Sequence, residues 1–429
     1  MRVLALSAPI YAHTLNAAPF LTGLRARGAE VHWGVASPLL PAAARLADVG
    51  QVWDTGPSST FAGPTDRRPG RIREVSARYD WLLHDAADRL GRVRALITDL
   101  RPDVVLTDSL GYAAALAAEC AGLPWVSFGD GPLHYPDRHT PPFGAGLPYR
   151  TARPWVWRNS VVQAASRGLV LRTAHTRYAA LRRSLGLPPS DAPVVEAALS
   201  STLHLHCGVP ELEYPRADLP PHVHFVGALR PPVGRAWSRP PWWEEHVVAR
   251  SGQVVLATQG TLRSDPAELL APTVRALQDS GRPGVVTTGA GDPALLGGPG
   301  LLPPGAGETR SVPGRVAVEE FVPYEEVLPH AAALVTNGGW TGVLLALAHG
   351  VPVIQVGRSE EKADIGRRVA WAGAGLHLGP RPSPRRLAHA LDRVERDPRF
   401  RRAAARLAAS LGDRDPGRDG ARLILGEVG

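Results

Sequence analysis

Residues 321–369 read FVPYEEVLPHAAALVTNGGWTGVLLALAHGVPVIQVGRSEEKADIGRRV, and this stretch decides the fold. The apolar run 332–335 has strand length. Asn337-Gly338-Gly339 is a turn, 341–348 has the length and apolar character of a helix, and Gly350-Val351-Pro352 punctuates the return to a second strand over 351–356. A helix over 361–372 follows. Strand, helix and strand at this spacing form a right-handed βαβ unit and therefore a parallel sheet.

The same rhythm extends in both directions. Upstream in the second half, 253–258 and 284–288 read as strands around a helix over 266–280, with a Gly/Pro loop over 289–307. Downstream, helices are expected over 384–396 and 400–411. In the first half, strands are expected at 3–6, 31–35, 104–106 and 125–127, with helices over 14–27 and 111–120. A Pro-rich stretch ending near Pro240-Pro241-Trp242-Trp243 has the composition of a stiff linker. The expected organisation is therefore α/β, with residues 1–228 as one domain, 229–250 as linker, 251–405 as a second domain and 406–429 as a C-terminal helix or tail.

With 429 residues, 44% of them hydrophobic and 21% charged, the chain can bury two cores and is not disordered as a whole. No apolar run reaches the roughly 18 residues of a membrane-spanning helix. Met1 to Leu6 lacks a signal-peptide pattern. Cys120 and Cys207 make no disulfide framework, so a reducing cytoplasm is expected. The formal net charge is +8, yet no helix-turn-helix or zinc spacing accompanies it, so it argues weakly for a nucleic-acid partner. Forty-seven of the 48 basic residues are arginine, and Lys362 is the single lysine. Asparagine occurs three times, at Asn16, Asn159 and Asn337. Residue types that survive such a bias draw attention, and Asn337 and Lys362 both fall in the decisive stretch.

The loop after the first strand, Ser7 to His13, has no glycine, which argues against the dinucleotide fingerprint G-x-G-x-x-G, and no G-x-x-x-x-G-K-[ST] phosphate loop occurs. In open parallel sheets ligands bind beyond the carboxyl ends of the strands. His13 lies at that rim, ahead of a helix; an imidazole with a pKa of about 6.5 can accept a proton there. Asp108 holds the same rim position after 104–106. It either holds the imidazole or caps the next helix. Asn337 to Gly342 opens a helix, where backbone N–H groups favour anions, phosphates above all. Thr258-Gln259-Gly260-Thr261 ends the first strand of the second half and is a second phosphate-side turn. Glu360, Glu361 and Lys362 follow the next strand and suit sugar hydroxyls. Asp413-Arg414-Asp415 imitates a metal-binding D-x-D but does not follow a strand. His204 and His206 share a strand face beside Cys207 without further metal-ligand spacing. From Arg138 to Ser190 there are nine arginines and no acid, with Trp155 and Trp157 among them.

Set against known families, the run resembles the family-one glycosyltransferases of the GT-B fold. It is most similar to the bacterial, actinobacterial natural-product (macrolide-type) branch, whose signature runs F-x-P-[QHY]-x-x-x-L … H-G-G-x-G-T-x-x-E-A-L-x-x-G-V-P-x-V-x-x-P-x-x-x-D-Q-x-x-N-A-x-R-V. The alignment needs no gap, and the resemblance extends over nearly the whole chain. Four departures stand out. The usual His is Asn337, the usual Gly-Thr is reversed as Thr341-Gly342, the usual Glu is Leu345, and the usual Asp-Gln is Glu361-Lys362.

The resemblance implies two Rossmann-like domains facing each other across a cleft, the first binding the acceptor and the second the donor. It implies an inverting transfer of a hexose from a UDP- or dTDP-sugar to a hydroxyl of a hydrophobic small molecule. His13 would be the general base and Asp108 its orienting carboxylate. Gly260, Thr261, Phe321, Val322, Asn337, Gly338, Gly339, Thr341, Gly342, Glu361 and Lys362 would bind the donor. No metal and no cofactor beyond the nucleotide-sugar co-substrate is expected. The partners would be that donor and a small-molecule acceptor, with no nucleic acid. The basic, Trp-bearing segment 138–190 fits an acidic or amphiphilic acceptor, or weak peripheral contact with an anionic membrane. A sugar epimerase of the same fold, or a binding relative without turnover, are the competing readings.

Overall fold

The computed structural model describes residues 1–46, 49–58, 71–232, 237–259, 265–289, 291–301, 316–358 and 361–428. Among these residues the strands fall into two sheets. The first contains β1 (Arg2–Leu6), β2 (Glu30–Val35), β3 (Gln51–Asp54), β4 (Val104–Asp108), β5 (Trp125–Gly129), β6 (Leu203–His206) and β7 (Val223–Phe225). Their order is β3-β2-β1-β4-β5-β6-β7, with every neighbouring pair parallel. The second contains β8 (Val254–Thr258), β9 (Gly284–Thr287), β10 (Gly300–Leu301), β11 (Val316–Glu319), β12 (Ala331–Thr336), β13 (Val353–Val356) and β14 (Gly375–Leu378). Their order is β10-β11-β9-β8-β12-β13-β14; β10 alone runs antiparallel to its neighbour.

Helices cover the sheet faces. In the first half they are α1 (Tyr11–Asn16), α2 (Ala18–Ala26), α3 (Leu40–Ala43), α4 (Arg71–Leu100), α5 (Tyr112–Ala121), α6 (Arg153–Ala165) and α7 (Arg172–Ser184). In the second they are α8 (Leu270–Ser280), α9 (Tyr324–Val327), α10 (Trp340–Ala348), α11 (Lys362–Trp371), α12 (Pro384–Arg396), α13 (Pro398–Gly412) and α14 (Pro416–Glu427). No helix among the described residues is long and apolar enough to cross a membrane. The central strands are apolar on both faces, as burial under helices on both sides demands; β1, β4, β8 and β12 are buried almost throughout.

Several expectations change in detail. The helix expected over 14–27 is two helices, α1 and α2, which meet at Ala17. Pro19 lacks an N–H and starts the second helix afresh. His13 therefore lies inside α1, not ahead of a helix. The boundary at 405/406 falls inside α13, whose apolar positions Phe400, Ala403, Ala404, Leu407 and Leu411 keep it packed without a break. The chain leaves the second domain after Gly412, and α14 lies on α2 of the first. Asp415 caps α14 by accepting from the Arg418 N–H. That assigns the D-x-D-like Asp415 a capping role. The Pro-rich linker is not wholly a linker: Trp243 is fully buried, and His246 Nε2 lies 3.0 Å from the Gly284 carbonyl.

The sequence reading assigns no element to 71–100, where α4 runs for 30 residues. Its buried positions Tyr79, Leu82, Leu83, Ala86, Leu90, Val93 and Ile97 recur at helical spacing, but the stretch is polar between them.

The order in which strands are added reverses once in each sheet, between β1 and β4 in the first and between β8 and β12 in the second. These are the topological switch points at which open α/β sheets bind ligands. His13 and Asp108 follow β1 and end β4; Gln259 and Asn337 follow β8 and β12.

Candidate active site

Asp108 is fully buried at the end of β4. Its Oδ2 accepts the Ala8 N–H at 2.6 Å, and its Oδ1 accepts the Leu110 N–H at 2.7 Å. It does not cap α5, whose N-cap position belongs to Gly111. It braces the turns after both switch-point strands and faces the imidazole: Nδ1 of His13 lies 3.5 Å from its Oδ1.

A second carboxylate is nearer. Asp130, one residue past β5, places Oδ1 3.1 Å from His13 Nδ1. Its Oδ2 accepts from Asn16 Nδ2 at 2.8 Å. Burial disfavours the imidazolium, but Asp130 and Asp108 outweigh it and hold the His13 pKa well above its ordinary value. Burial likewise opposes the charged form of Asp130, yet His13 and Asn16 hold its pKa below the usual range. The sequence reading missed Asp130 and Asn16. Their signals were present: Asp130 follows a strand at the carboxyl rim, and Asn16 is one of three asparagines.

Across the cleft, Gly338 has φ +96°, and a Cβ there would meet the Gln355 side chain at 2.8 Å. Only glycine suits that turn. Gly339 holds the N-cap position of α10 without side-chain capping, and space is open where its Cβ would stand. The Asn337 side chain donates to the Gln259 carbonyl across the second switch point. Gln355 Nε2 donates to the Asn337 carbonyl at 2.9 Å. Thr341 turns toward the first domain, where its Oγ1 accepts from Asn16 Nδ2 at 3.2 Å. Gly342 faces the Tyr324 hydroxyl. Leu345 is buried in the core, so this departure places no polar group on the cleft. Val322 is buried and Phe321 half-buried beside it. Gly260, Thr261 and Glu360 lie outside the described residues.

Lys362 Nζ donates to Glu361 Oε1 at 2.8 Å. Burial pushes the Glu361 carboxyl up, but Lys362 and Arg78 of α4 overcome it and hold its pKa at about 2. The acid–lysine pair thus faces α4 of the first domain. His204 and His206 serve the sheet interior: His204 Nδ1 lies 2.8 Å from Ser127 Oγ, and His206 Nε2 lies 3.6 Å from Glu213 Oε1.

Besides the Asn16–Thr341 bond, further contacts close the domains on each other. Asp364 of α11 accepts from the Gly144 and Gly146 N–H groups, each at 2.5 Å. Arg368 Nε donates to Glu213 Oε2 at 2.8 Å. Trp340 Nε1 donates to the Cys207 carbonyl at 2.6 Å.

Two doubly wound domains, with their switch-point rims joined by contacts between the domains, define the GT-B architecture. Comparison with known proteins gives the family. Residues 304–416 match the family described as erythromycin biosynthesis protein CIII-like, C-terminal domain. The chain is 34% identical over 435 residues to 4'-demethylrebeccamycin synthase of Lentzea aerocolonigenes, covering 100% of this chain and 99% of that one. In fold it is similar to the glycosyltransferase SnogD from Streptomyces nogalater, with TM-score 0.69, 21% identity and 100% and 99% of the two chains covered. It is also similar to the glycosyltransferase VinC, solved in complex with dTDP, with TM-score 0.65, 20% identity and 100% and 99% coverage. The chain belongs to the family-one, natural-product glycosyltransferases of the GT-B fold.

Proposed function

We propose that the enzyme inverts the anomeric centre while moving a hexose from a UDP- or dTDP-sugar to a hydroxyl of a hydrophobic small molecule. The observation that carries this reading is the imidazole of His13, held at the first switch point by buried carboxylates, on the same short helix as Asn16, which reaches Thr341 beside the glycine turn of the second. Nδ1 faces Asp108 and Asp130, which leaves Nε2 for the acceptor. His13 Nε2 takes the hydroxyl proton as the acceptor oxygen bonds to the anomeric carbon. The bond from that carbon to the phosphate oxygen breaks in line, and the nucleoside diphosphate leaves with the electron pair. Asp108 orients the ring and stabilises its cation.

The leaving charge meets the N–H groups of residues 338–342 at the start of α10, aided by Thr341; this chemistry requires no metal. Glu361 and Lys362 read the sugar. Phe321 and Val322 flank the nucleobase, with Asn337, Gly260 and Thr261 on the phosphate side. The complex of VinC with dTDP supports a nucleoside diphosphate as the donor's leaving group. The acceptor binds the first domain. On α6, Trp157 (72% exposed) and Val161 share a face that continues to Leu169 (78% exposed). Exposed arginines flank it, which supports weak contact with an anionic lipid surface.

The experiment is a panel of nucleotide sugars assayed for transfer and for donor hydrolysis, with wild type and His13→Ala. The variant is expected to lose at least about a hundredfold in transfer while donor affinity holds. Near-normal turnover by His13→Ala sinks the base assignment, and no turnover by wild type with any donor favours a binding relative.

A further inference from the structure

Asp130 is not needed to explain the turns around the active site, which Asp108 already braces. Its Oδ1 is buried and directed at His13 Nδ1, 3.1 Å away. Its Oδ2 takes the Asn16 amide at 2.8 Å, and the same Asn16 nitrogen lies 3.2 Å from Thr341 Oγ1. Asn16 is almost fully buried, as is Asp130. A contiguous polar line therefore runs from the imidazole, through a carboxylate and an amide, to the first turn of α10 in the other domain. Two carboxylates face the ring, Asp108 from β4 and Asp130 just past β5, and Cys207 after β6 lies near Asp130.

We propose that Asp130, held by Asn16, is a second positioning carboxylate for His13, and that Asn16 carries this hold across the cleft to the donor turn at Thr341. The proposal deepens the reading of His13 as the general base and rests on it. A carboxylate on each side of Nδ1 fixes both the tautomer and the plane of the ring, which one partner leaves free to rotate. Bridging to Thr341 ties the ring's position to the closed arrangement of the two domains, so the base is fully aligned only when the donor domain is seated. Asp130→Asn is a clean probe, because its amide oxygen can still face His13 while Asn16 flips its own amide to accept. Asp108→Asn is not, because both Asp108 oxygens already accept backbone N–H groups.

The test is an NMR titration of His13 in the full-length, isotope-labelled enzyme, assigned with His13→Ala, alongside kcat/KM against pH. Asp130→Asn is expected to lower the His13 midpoint by at least about one pH unit, and the acidic limb of kcat/KM should move by the same amount. Asp130→Glu should retain the raised midpoint. An unchanged His13 midpoint in Asp130→Asn overturns the proposal. A midpoint that falls while the rate profile stays put upholds the positioning role and instead refutes His13 as the base. Should Asp130→Asn fail to fold, Asn16→Ala is read the same way, with a smaller shift in the same direction expected. The link across the cleft is tested by a double-mutant cycle of Asn16→Ala and Thr341→Val in kcat/KM. Losses that fall short of additive support it, and strictly additive losses overturn it.

Discussion

Replacing Glu213 by glutamine should loosen the two domains without touching the reacting groups. Glu213 is buried, with 2% of its side chain exposed, and Arg368 across the interface is 5% exposed. Its Oε2 accepts from Arg368 Nε at 2.8 Å and from Arg216 at 3.3 Å. Its Oε1 accepts the Leu133 N–H at 2.8 Å. Burial raises the Glu213 pKa, but the two guanidinium groups and His206 overcome it and leave it well below the usual carboxylate range. Glutamine keeps the shape and one acceptor but strands two buried cations. Breaking a buried pair in this way costs about 3–5 kcal/mol, and Asp364 beside Arg368 places the expected loss at the lower end. At roughly 2–4 °C per kcal/mol for a domain of this size, the melting temperature should fall by roughly 6–12 °C at pH 7.

Because the folded pKa is depressed, the pair's contribution is present above the unfolded carboxylate value of about 4.3 and fades below it. Calorimetry should therefore show a gap between wild type and variant that is constant from pH 7 to about pH 5 and narrows as the pH falls below about 4.3. Screening is weak at a buried site, so 0.5 M salt (about 4 Å of Debye length) should leave the gap nearly intact. The half-exposed Arg239–Glu326 pair is the control: Glu326→Gln should change stability by less than about 1 kcal/mol. A Glu213→Gln protein melting within about 2 °C of wild type would refute the argument, as would a gap that salt abolishes.

Lys362→Ala removes a charge-assisted partner of Glu361 and should cut kcat/KM for the accepted donor by roughly 10- to 100-fold, or reorder donor preference; acceptor KM should hold. Identical kinetics with every donor would remove Lys362 from donor recognition. EDTA should leave activity intact if, as proposed above, helix N–H groups meet the leaving charge; loss restored by added metal would contradict this. Vesicles containing anionic lipid should pellet the wild-type enzyme at low salt and release it at high salt, and Trp157→Ser should pellet less. Equal behaviour with neutral vesicles would exclude the electrostatic contact.

The βα rhythm, the parallel sheets and the rim positions of His13, Asp108 and the 337–342 turn were all legible, because each depends on local spacing. Asp108 was legible as a rim carboxylate but not as a double acceptor, since Ala8 reaches it only through the pairing of β1 with β4. Asp130 escaped notice because a carboxylate after a strand is common, and its value comes from a histidine 117 positions away in the chain. The long helix α4 was hidden by arginines and aspartates between its apolar positions. Arg78 on that helix, beside Glu361, could not be foreseen from either segment alone.

The decisive stretch does more than carry the donor motif. Trp340, Thr341, Asp364 and Arg368 all lie in it, and each bonds to the first domain. On α11, Asp364 and Arg368 are four residues apart and thus share one face, which is spent on the interface. Lys362 and Glu361 open the same helix and meet on the side of α4. On α10, Trp340 and Thr341 reach across while Leu345, one turn on, sinks into the core. A residue that departs from the family pattern in this stretch can therefore answer to domain closure as well as to donor chemistry. Thr341-Gly342, reversed from the usual order, fits that logic. Thr341 reaches Asn16, while a side chain at position 342 would strike the Tyr324 hydroxyl, 2.8 Å from where its Cβ would stand. The reversal is thus consistent with its surroundings on both sides of the cleft, and restoring the usual order would cost both the Asn16 contact and the space beside Tyr324.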